Sequence, residues 1–295
     1  MKIKKGFTLG MAAMIGMLSL ATSCGSSNDG IVEDPTGEIT VISREDGSGT
    51  RGAFVELLGI EQKNEDGVKF DNTTLMAEVT NSTAVMLQSI MGNDNAIGYI
   101  SLGSLSDNVK AISIDGVRPT IETVKGGSYP VARPFNIVYD ESSLDEVGRD
   151  FLAFVMSEQG QAIVEEKGYV SQGNTGEYQA SKLSGEITIS GSSSVTPVME
   201  RIAEEYKEIH QNVSIEVQQS DSTTGVSSVV EGVSDIGLVS RAIKDSELEQ
   251  GLTPMTIAMD GIVVVIHNEN ALESLTSDQV RDIYMGTLTD WEQTY

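Results

Sequence analysis

The sequence predicts an α/β fold with largely parallel sheets. Three observations carry this. Short β-branched runs alternate with segments of helical spacing, hairpin signals are missing between successive strands, and Gly/Ser/Thr clusters sit where strands hand over to helices.

In chain order, "EITVIS" (38–43) reads as a strand and "GAFVELLGI" (52–60) as a helix behind the loop "GSGT" (47–50). A second helix lies within "TTLMAEVTNSTAVMLQSIMG" (73–92). "AIGYISLGSL" (96–105) is a strand with its turn, "VKAISIDGV" (109–117) another strand, and "PFNIVYD" (134–140) a third that follows Pro134. One amphipathic helix is expected over 144–170. The polar stretch "SQGNTGEYQASKLSG" (171–185) has the composition of a linker. Beyond it come a strand at 186–194 and a helix at 197–210 with Val198, Ile202, Tyr206 and Ile209 on one face. A strand at 213–220, a short helix at 225–235, a buried strand at 260–268 and a capped helix at 276–286 complete the set. Two stretches begin alike, "GEITVISREDGSG" and "GEITISGSSSV", and diverge at once, as two half-domains with similar strand-to-loop starts would.

The chain carries 44 acidic and 19 basic residues, for a formal net charge of −25. Such a balance argues against nucleic acid and anionic membrane surfaces as partners. It leaves room for a small anion, because charges beyond a Debye length of about 8 Å are largely screened. Lys2, Lys4 and Lys5 precede an apolar run from Leu9 to Leu20, too short for a membrane span of roughly 20 residues. Residues 1–23 therefore read as an export signal. "ATSC" at Ala21–Cys24 resembles a lipobox, with Ala21 where leucine is usual. Cys24 is the only cysteine, which excludes an intrachain disulfide and suits a lipid-modified N-terminus, with residues 24–37 as its tether. A plain secretory signal with an incidental thiol is the alternative.

The chemistry concentrates in three loops that open helices: "GSGT" (47–50), "GSSSVTP" (191–197) and "SDSTTG" (220–225). Helix starts offer unpaired N–H groups and partial positive charge, glycine lets an oxyanion approach, and hydroxyls add donors. None has the lysine of a P-loop, so nucleotide binding is disfavoured. Any one of them serves equally well as a cap without a ligand. Three together, with Arg44 ahead of the first, point to an oxyanion. Arg44 either forms a surface pair with Glu45 or Asp46, or is held by Asp46 so that its fork meets the anion.

"VISREDGSGTR" (41–51), "ISGSSSVTPVME" (189–200), "VQQSDSTTGVSSVVEGVSDIGLVSR" (217–241) and "MDGIVVVIHN" (259–268) resemble the phosphate-binding proteins of bacterial phosphate ABC transporters. So do "AIGYISLGSL" (96–105) and "SYPVARPF" (128–135). The resemblance implies a two-lobed periplasmic-binding-protein fold of type II that closes on inorganic phosphate across two hinge strands. It implies phosphate contacts from Arg44, Ser48, Gly49 and Thr50 in one lobe and from Ser193, Ser194, Ser222 and Ser240 in the other. Asp46, Asp221 and Arg241 are possible contacts or supports. Members of the family place an aspartate near Ser240 to accept the phosphate proton. Ser240-Arg241 stands there instead, and Asp221 is a speculative replacement, otherwise a turn-making residue.

The two halves stand in reverse of the family's order, as in a circular permutation, with the linker at 171–185 joining the family's original ends. The expected division is a lobe of 38–128 plus 263–295 and a lobe of 135–258, with crossings at 129–134 and 259–262. Two tandem copies, cut through, would give the same order. A stop codon directly after Tyr295 would separate the readings.

His210 and His267 are the only histidines and neither adjoins a candidate nucleophile, so both read as structural. No catalysis, no metal and no cofactor are expected. The implied function is capture of phosphate, as a monomer lipid-anchored through Cys24 outside the cytoplasmic membrane, for delivery to an ABC permease. The alternatives are a binding protein for sulfate or molybdate, a surface signalling or adhesion protein that retains the fold, and a serine hydrolase, which would lack its G-x-S-x-G elbow.

Overall fold

The computed structural model describes residues 36–295, so the expected export signal at 1–23, Cys24 and most of the expected tether at 24–37 lie outside the described residues. The chain begins with β1 (Thr40–Arg44), α1 (Gly49–Leu57), β2 (Glu61–Lys63), β3 (Lys69–Asp71) and β4 (Glu78–Thr80). It continues through α2 (Thr83–Met91), β5 (Ala96–Ser101), β6 (Lys110–Ala111), β7 (Ser113–Ile114), α3 (Ile121–Lys125) and β8 (Ala132–Tyr139). Next come α4 (Glu146–Val155), α5 (Glu158–Glu166), β9 (Val170–Ser171), β10 (Gly185–Ser192), α6 (Thr196–Ile209) and β11 (Val213–Ser220). The last elements are α7 (Ser222–Val230), β12 (Ile236–Val239), α8 (Asp245–Leu248), β13 (Thr253–Ile266), β14 (Ser274–Leu275) and α9 (Ser277–Tyr284).

One sheet runs through both halves in the order β11-β10-β12-β8-β13-β5-β1-β4. Within each half the pairing is parallel: β10 with β11 and β12, and β1 with β4 and β5. The joining strands β8 and β13 are antiparallel to their neighbours. β13 is the spine. Its first part pairs with β8, ending at Asp260 opposite Arg133 and Gly261 opposite Ala132, and Ile262–Ile266 pairs with β5. This run of Ile and Val is buried throughout, which suits a strand covered on both faces.

Two main cores flank the spine. Phe135, Phe151, Phe154, Tyr169, Tyr206 and Leu238 belong to one, and Phe54, Tyr99, Tyr284 and Trp291 to the other. Apolar burial of this kind contributes about 25 cal/mol per Å² removed from water.

The structure revises four local expectations. The helix expected over 144–170 is two, α4 and α5. Ser157 donates to the Phe154 carbonyl (2.6 Å) and accepts from Gly160 N–H (3.1 Å), and a Cβ on Gly160 would lie 2.2 Å from Phe154 O. Ser157 N–H also turns to Phe154 O at 3.0 Å, so the helical ladder breaks there and a new helix begins. The strand expected over 109–117 divides into β6 and β7 on either side of Ile112, whose N–H reaches Val264 O at 3.1 Å. On α6, Met199 and Ala203 join Val198, Ile202 and Tyr206 in the core, while Ile209 at its end is exposed. The sheet is also more mixed than expected, because β8 and β13 carry the chain between halves.

Candidate functional site

β1 delivers Arg44 to the junction of the two halves. Its side chain is buried, with Nε and Nη2 donating to Glu45 Oε2 and Oε1 at 2.8 and 2.7 Å. Nη2 also donates to Ser193 Oγ at 3.0 Å, across 149 residues of sequence. Tyr99 fixes the strand end, its hydroxyl bonding Ser43 Oγ at 2.9 Å and accepting from Arg44 N–H at 3.1 Å. Burial pushes that phenol up to about 12. The expectation that Asp46 holds Arg44 is corrected. Asp46 lies one residue further into the turn, is almost fully exposed, and pairs with Arg51 at 3.0 Å. The longer Glu45 side chain reaches back along the guanidinium instead.

Ser48 caps α1, its Oγ accepting from Arg51 N–H at 3.3 Å. Gly49 then enters the opposite half so closely that a Cβ would meet Ser222 Oγ at 2.3 Å and Ser240 Oγ at 2.8 Å. Thr50 Oγ1 lies 2.8 Å from Ser194 Oγ. On the far side Ser192 Oγ donates to Ser240 Oγ at 2.8 Å, and Ser240 N–H donates to Ser222 Oγ at 3.1 Å. All eight expected contact residues, Arg44, Ser48, Gly49, Thr50, Ser193, Ser194, Ser222 and Ser240, thus gather at one buried junction. There the starts of α1 and α7 and the loop opening α6 converge. Such a place favours an anion through N–H groups, hydroxyls and helix dipoles.

The two remaining candidate supports stand at its edge. Asp221 is the N-cap of α7, accepting from Thr224 N–H (2.9 Å) and Thr224 Oγ1 (2.6 Å). Arg241 forms a bidentate pair with Glu247 at 2.9 and 2.7 Å. It lines a neighbouring cleft of about 740 Å³ together with Ser48, Arg51, Arg133 and Thr223.

Sequence reasoning passed over three groups. Thr83, the first residue of α2, lies 3.4 Å from both Ser193 Oγ and Ser194 Oγ. Ser192 donates into the hydroxyl chain. Beneath them Arg133 and Asp260 form an ion pair at 3.0 Å with both side chains buried. Arg133 Nη1 also donates to Ser240 O (2.9 Å), while Asp260 accepts from Ser101 Oγ (2.8 Å) and Leu102 N–H (3.1 Å). Burial pushes the Asp260 carboxyl up, against the pull of Arg133. The adjacency "Arg-Pro" in one crossing strand and "Met-Asp-Gly" in the other was the available signal, since charges inside apolar strands require partners.

Neither histidine approaches the junction. His210 Nε2 lies 2.6 Å from Tyr178 Oη and its ring stacks on Tyr206, while His267 faces Asp94 at 3.3 Å. Among the described residues, no group of three or more His, Cys, Asp and Glu side chains is placed to hold a metal ion.

The sequence matches the family described as PBP superfamily domain over residues 27–159 and 176–294. It is 46% identical over 289 residues to phosphate-binding protein PstS 2 of Streptococcus agalactiae, covering 98% of each chain. The crystal structure of a phosphate ABC transporter phosphate-binding protein from Streptococcus pneumoniae is similar with a TM-score of 0.70 and 44% identity. The match covers 88% of this chain and 100% of that one. The phosphate-binding protein PstS of Pseudomonas aeruginosa matches over 119 residues only, at 35% identity, covering 38% of this chain and 37% of its own length.

Proposed function

The chain belongs to the PBP superfamily and, within it, to the PstS phosphate-binding proteins, and from that premise we propose that it captures inorganic phosphate between its two halves for an ABC permease. The observation that carries the reading is the direct meeting of the two hydroxyl-bearing loops, Arg44 on Ser193 and Thr50 on Ser194. An oxyanion held there faces donors from both halves at once, so binding stabilises their closed arrangement. We assign the contacts to Arg44, Ser48, Gly49 and Thr50 on one side and to Ser193, Ser194, Ser222 and Ser240 on the other. Glu45 orients the guanidinium.

Closure pivots about the crossings at 129–134 and 259–262, where Arg133 and Asp260 face each other in register. The lobes are 38–128 with 263–295, and 135–258. A circularly permuted order fits the partial match to the Pseudomonas protein, since a collinear alignment can follow only one of two exchanged blocks. The Streptococcus relative aligns end to end and so shares the order seen here. Among the described residues no helix is long and apolar enough to cross a membrane. Attachment is proposed through lipid on Cys24, with the protein acting as a monomer outside the cytoplasmic membrane.

Titration calorimetry on the protein freed of bound ligand tests the reading, with phosphate, arsenate and sulfate in separate runs. Heat with phosphate and arsenate is expected. No heat with phosphate ends the proposal, and tighter binding of sulfate transfers the site to another oxyanion.

A further inference from the structure

We propose that Thr83 is a further ligand of the bound oxyanion and that α2 supplies the site with an additional helix start. The inference rests on the phosphate reading above and extends it to a residue outside the loops that define the site. Thr83 opens a nine-residue helix on the Arg44 side of the junction and is 6% exposed. Its hydroxyl lies 3.4 Å from Ser193 Oγ and 3.4 Å from Ser194 Oγ, both on the opposite half. Each distance is at the long limit of a hydrogen bond, and both serines have closer partners, Arg44 Nη2 on Ser193 Oγ at 3.0 Å and Thr50 Oγ1 by Ser194 Oγ at 2.8 Å, so the Thr83 hydroxyl is only weakly engaged.

The helix does not need this hydroxyl for itself. Ser82 is the cap, its Oγ accepting from Val85 N–H at 3.2 Å, and Ser82 O receives the first helical bond from Met86 N–H at 3.1 Å. The N–H groups of Thr83 and Ala84 precede that bond and remain available at the positive end of the helix dipole. Their position is fixed from the same strand that carries Arg44. β4 pairs with β1, Glu45 N–H donates to Thr80 O at 3.0 Å, and Thr80 Oγ1 donates to Ser43 O at 3.2 Å. Arg44 and Thr83 therefore address the same serine, Ser193, from two directions.

With α2 included, each half contributes two helix openings, α1 and α2 against α6 and α7. A tetrahedral anion presents four oxygens, and the count of openings matches that shape. Thr83 accordingly acts on oxyanion affinity and not on closure alone.

Thr83→Val removes the hydroxyl at nearly constant volume, and Thr83→Ser keeps it. Phosphate affinity is measured by calorimetry for the parent and both variants, with thermal melting of the ligand-free proteins alongside. Loss of a hydrogen bond to a charged ligand is expected to weaken binding by roughly ten- to hundredfold in Thr83→Val, with Thr83→Ser within about threefold of the parent. Thr83→Ala makes the same deletion should the valine methyl prevent folding. If the parent binds phosphate and Thr83→Val and Thr83→Ala bind equally well, the assignment of Thr83 fails and the phosphate reading stands. A parent that does not bind phosphate overturns both. Equal weakening in the valine and serine variants makes Thr83 a packing residue and also overturns the assignment.

Discussion

Gly47 and Asp221 press together from opposite halves: a Cβ added to Gly47 would lie 2.3 Å from Asp221 Oδ1. Thr223 holds the same contact, its N–H and Oγ1 both directed at Gly47 O at 3.2 and 3.3 Å. Asp221 cannot yield easily, because its carboxylate caps α7. Gly47→Ala should therefore prop the halves apart and weaken phosphate binding by at least about tenfold, a cost typical of overpacking. Asp221→Gly opens the space and costs the cap only a few tenths of a kcal/mol. The double variant should recover most of the affinity, read as a coupling in a double-mutant cycle. Additive losses would show that the contact does not govern closure.

Arg44 is positioned by Glu45, and the two substitutions should separate charge from geometry. Arg44→Ala should lower phosphate affinity by about a hundredfold or more, since a buried charge-assisted donor is lost and Glu45 is left facing the anion. Arg44→Lys should recover little, because a single ammonium nitrogen cannot reproduce the planar fork in which Nε and Nη2 meet the two Glu45 oxygens while Nη2 reaches Ser193. Asp46→Asn, by contrast, should leave binding within about twofold, as Asp46 is exposed and bonded to Arg51. Calorimetry on the three variants checks the set, and unchanged affinity in Arg44→Ala would remove the assigned pocket.

The contrast between Glu45 and Asp46 shows where sequence reading stopped. Helix starts and hydroxyls are local signals, so the loops at 47–50, 191–197 and 220–225 were legible, and family resemblance supplied their meeting. Side-chain direction is not local in that sense: choosing between two adjacent acids requires the turn geometry. Thr83 was hidden for a related reason. "NST" has no glycine and reads as an ordinary cap, and only the pairing of β4 with β1 brings it to Arg44. The division of 144–170 into α4 and α5 was masked because its apolar spacing continues across the break, while the decisive contact, Gly160 on Phe154 O, is steric. The antiparallel course of β8 and β13 depends on which strands the chain joins across the two halves, and spacing carries no such information.

The Arg241–Glu247 pair predicts a pH signature. Burial raises the Glu247 carboxyl, but hydrogen bonds from Arg241 and from Lys244 N–H outweigh it and hold the group below its ordinary value. A depressed carboxylate contributes stability that is present above its unfolded value of about 4.3 and lost as pH falls through its folded value. Glu247→Gln should cost about 1–3 kcal/mol near pH 6, with the gap to the parent narrowing as pH falls past the unfolded value and through the lower folded one. Urea unfolding at pH 6, 4 and 3 measures this. A gap that stays constant with pH would assign the loss to packing.

Tyr178 ties the segment between β9 and β10 to the body of its half. Its hydroxyl donates to Asp150 Oδ2, which also accepts from Tyr206 Oη at 2.7 Å, and His210 Nε2 lies 2.6 Å away. With its proton committed to Asp150, the Tyr178 oxygen is left to accept from His210. Burial and the adjacent carboxylate both push the phenol well above its ordinary value, so it stays protonated across the working range of pH. If residues 171–185 join what are separate ends in the family's usual order, this anchor keeps the added connection from behaving as a loose loop, whose closure entropy grows only slowly with length. Tyr178→Phe keeps the edge-to-face contact with Phe154 and deletes the hydroxyl. The expected result is a loss of about 1–3 kcal/mol in stability, faster amide exchange or proteolytic nicking within 171–185, and phosphate affinity unchanged. Cleavage elsewhere, or a loss of affinity that matches the loss of stability, would place the role of Tyr178 in the core and not in the joining segment.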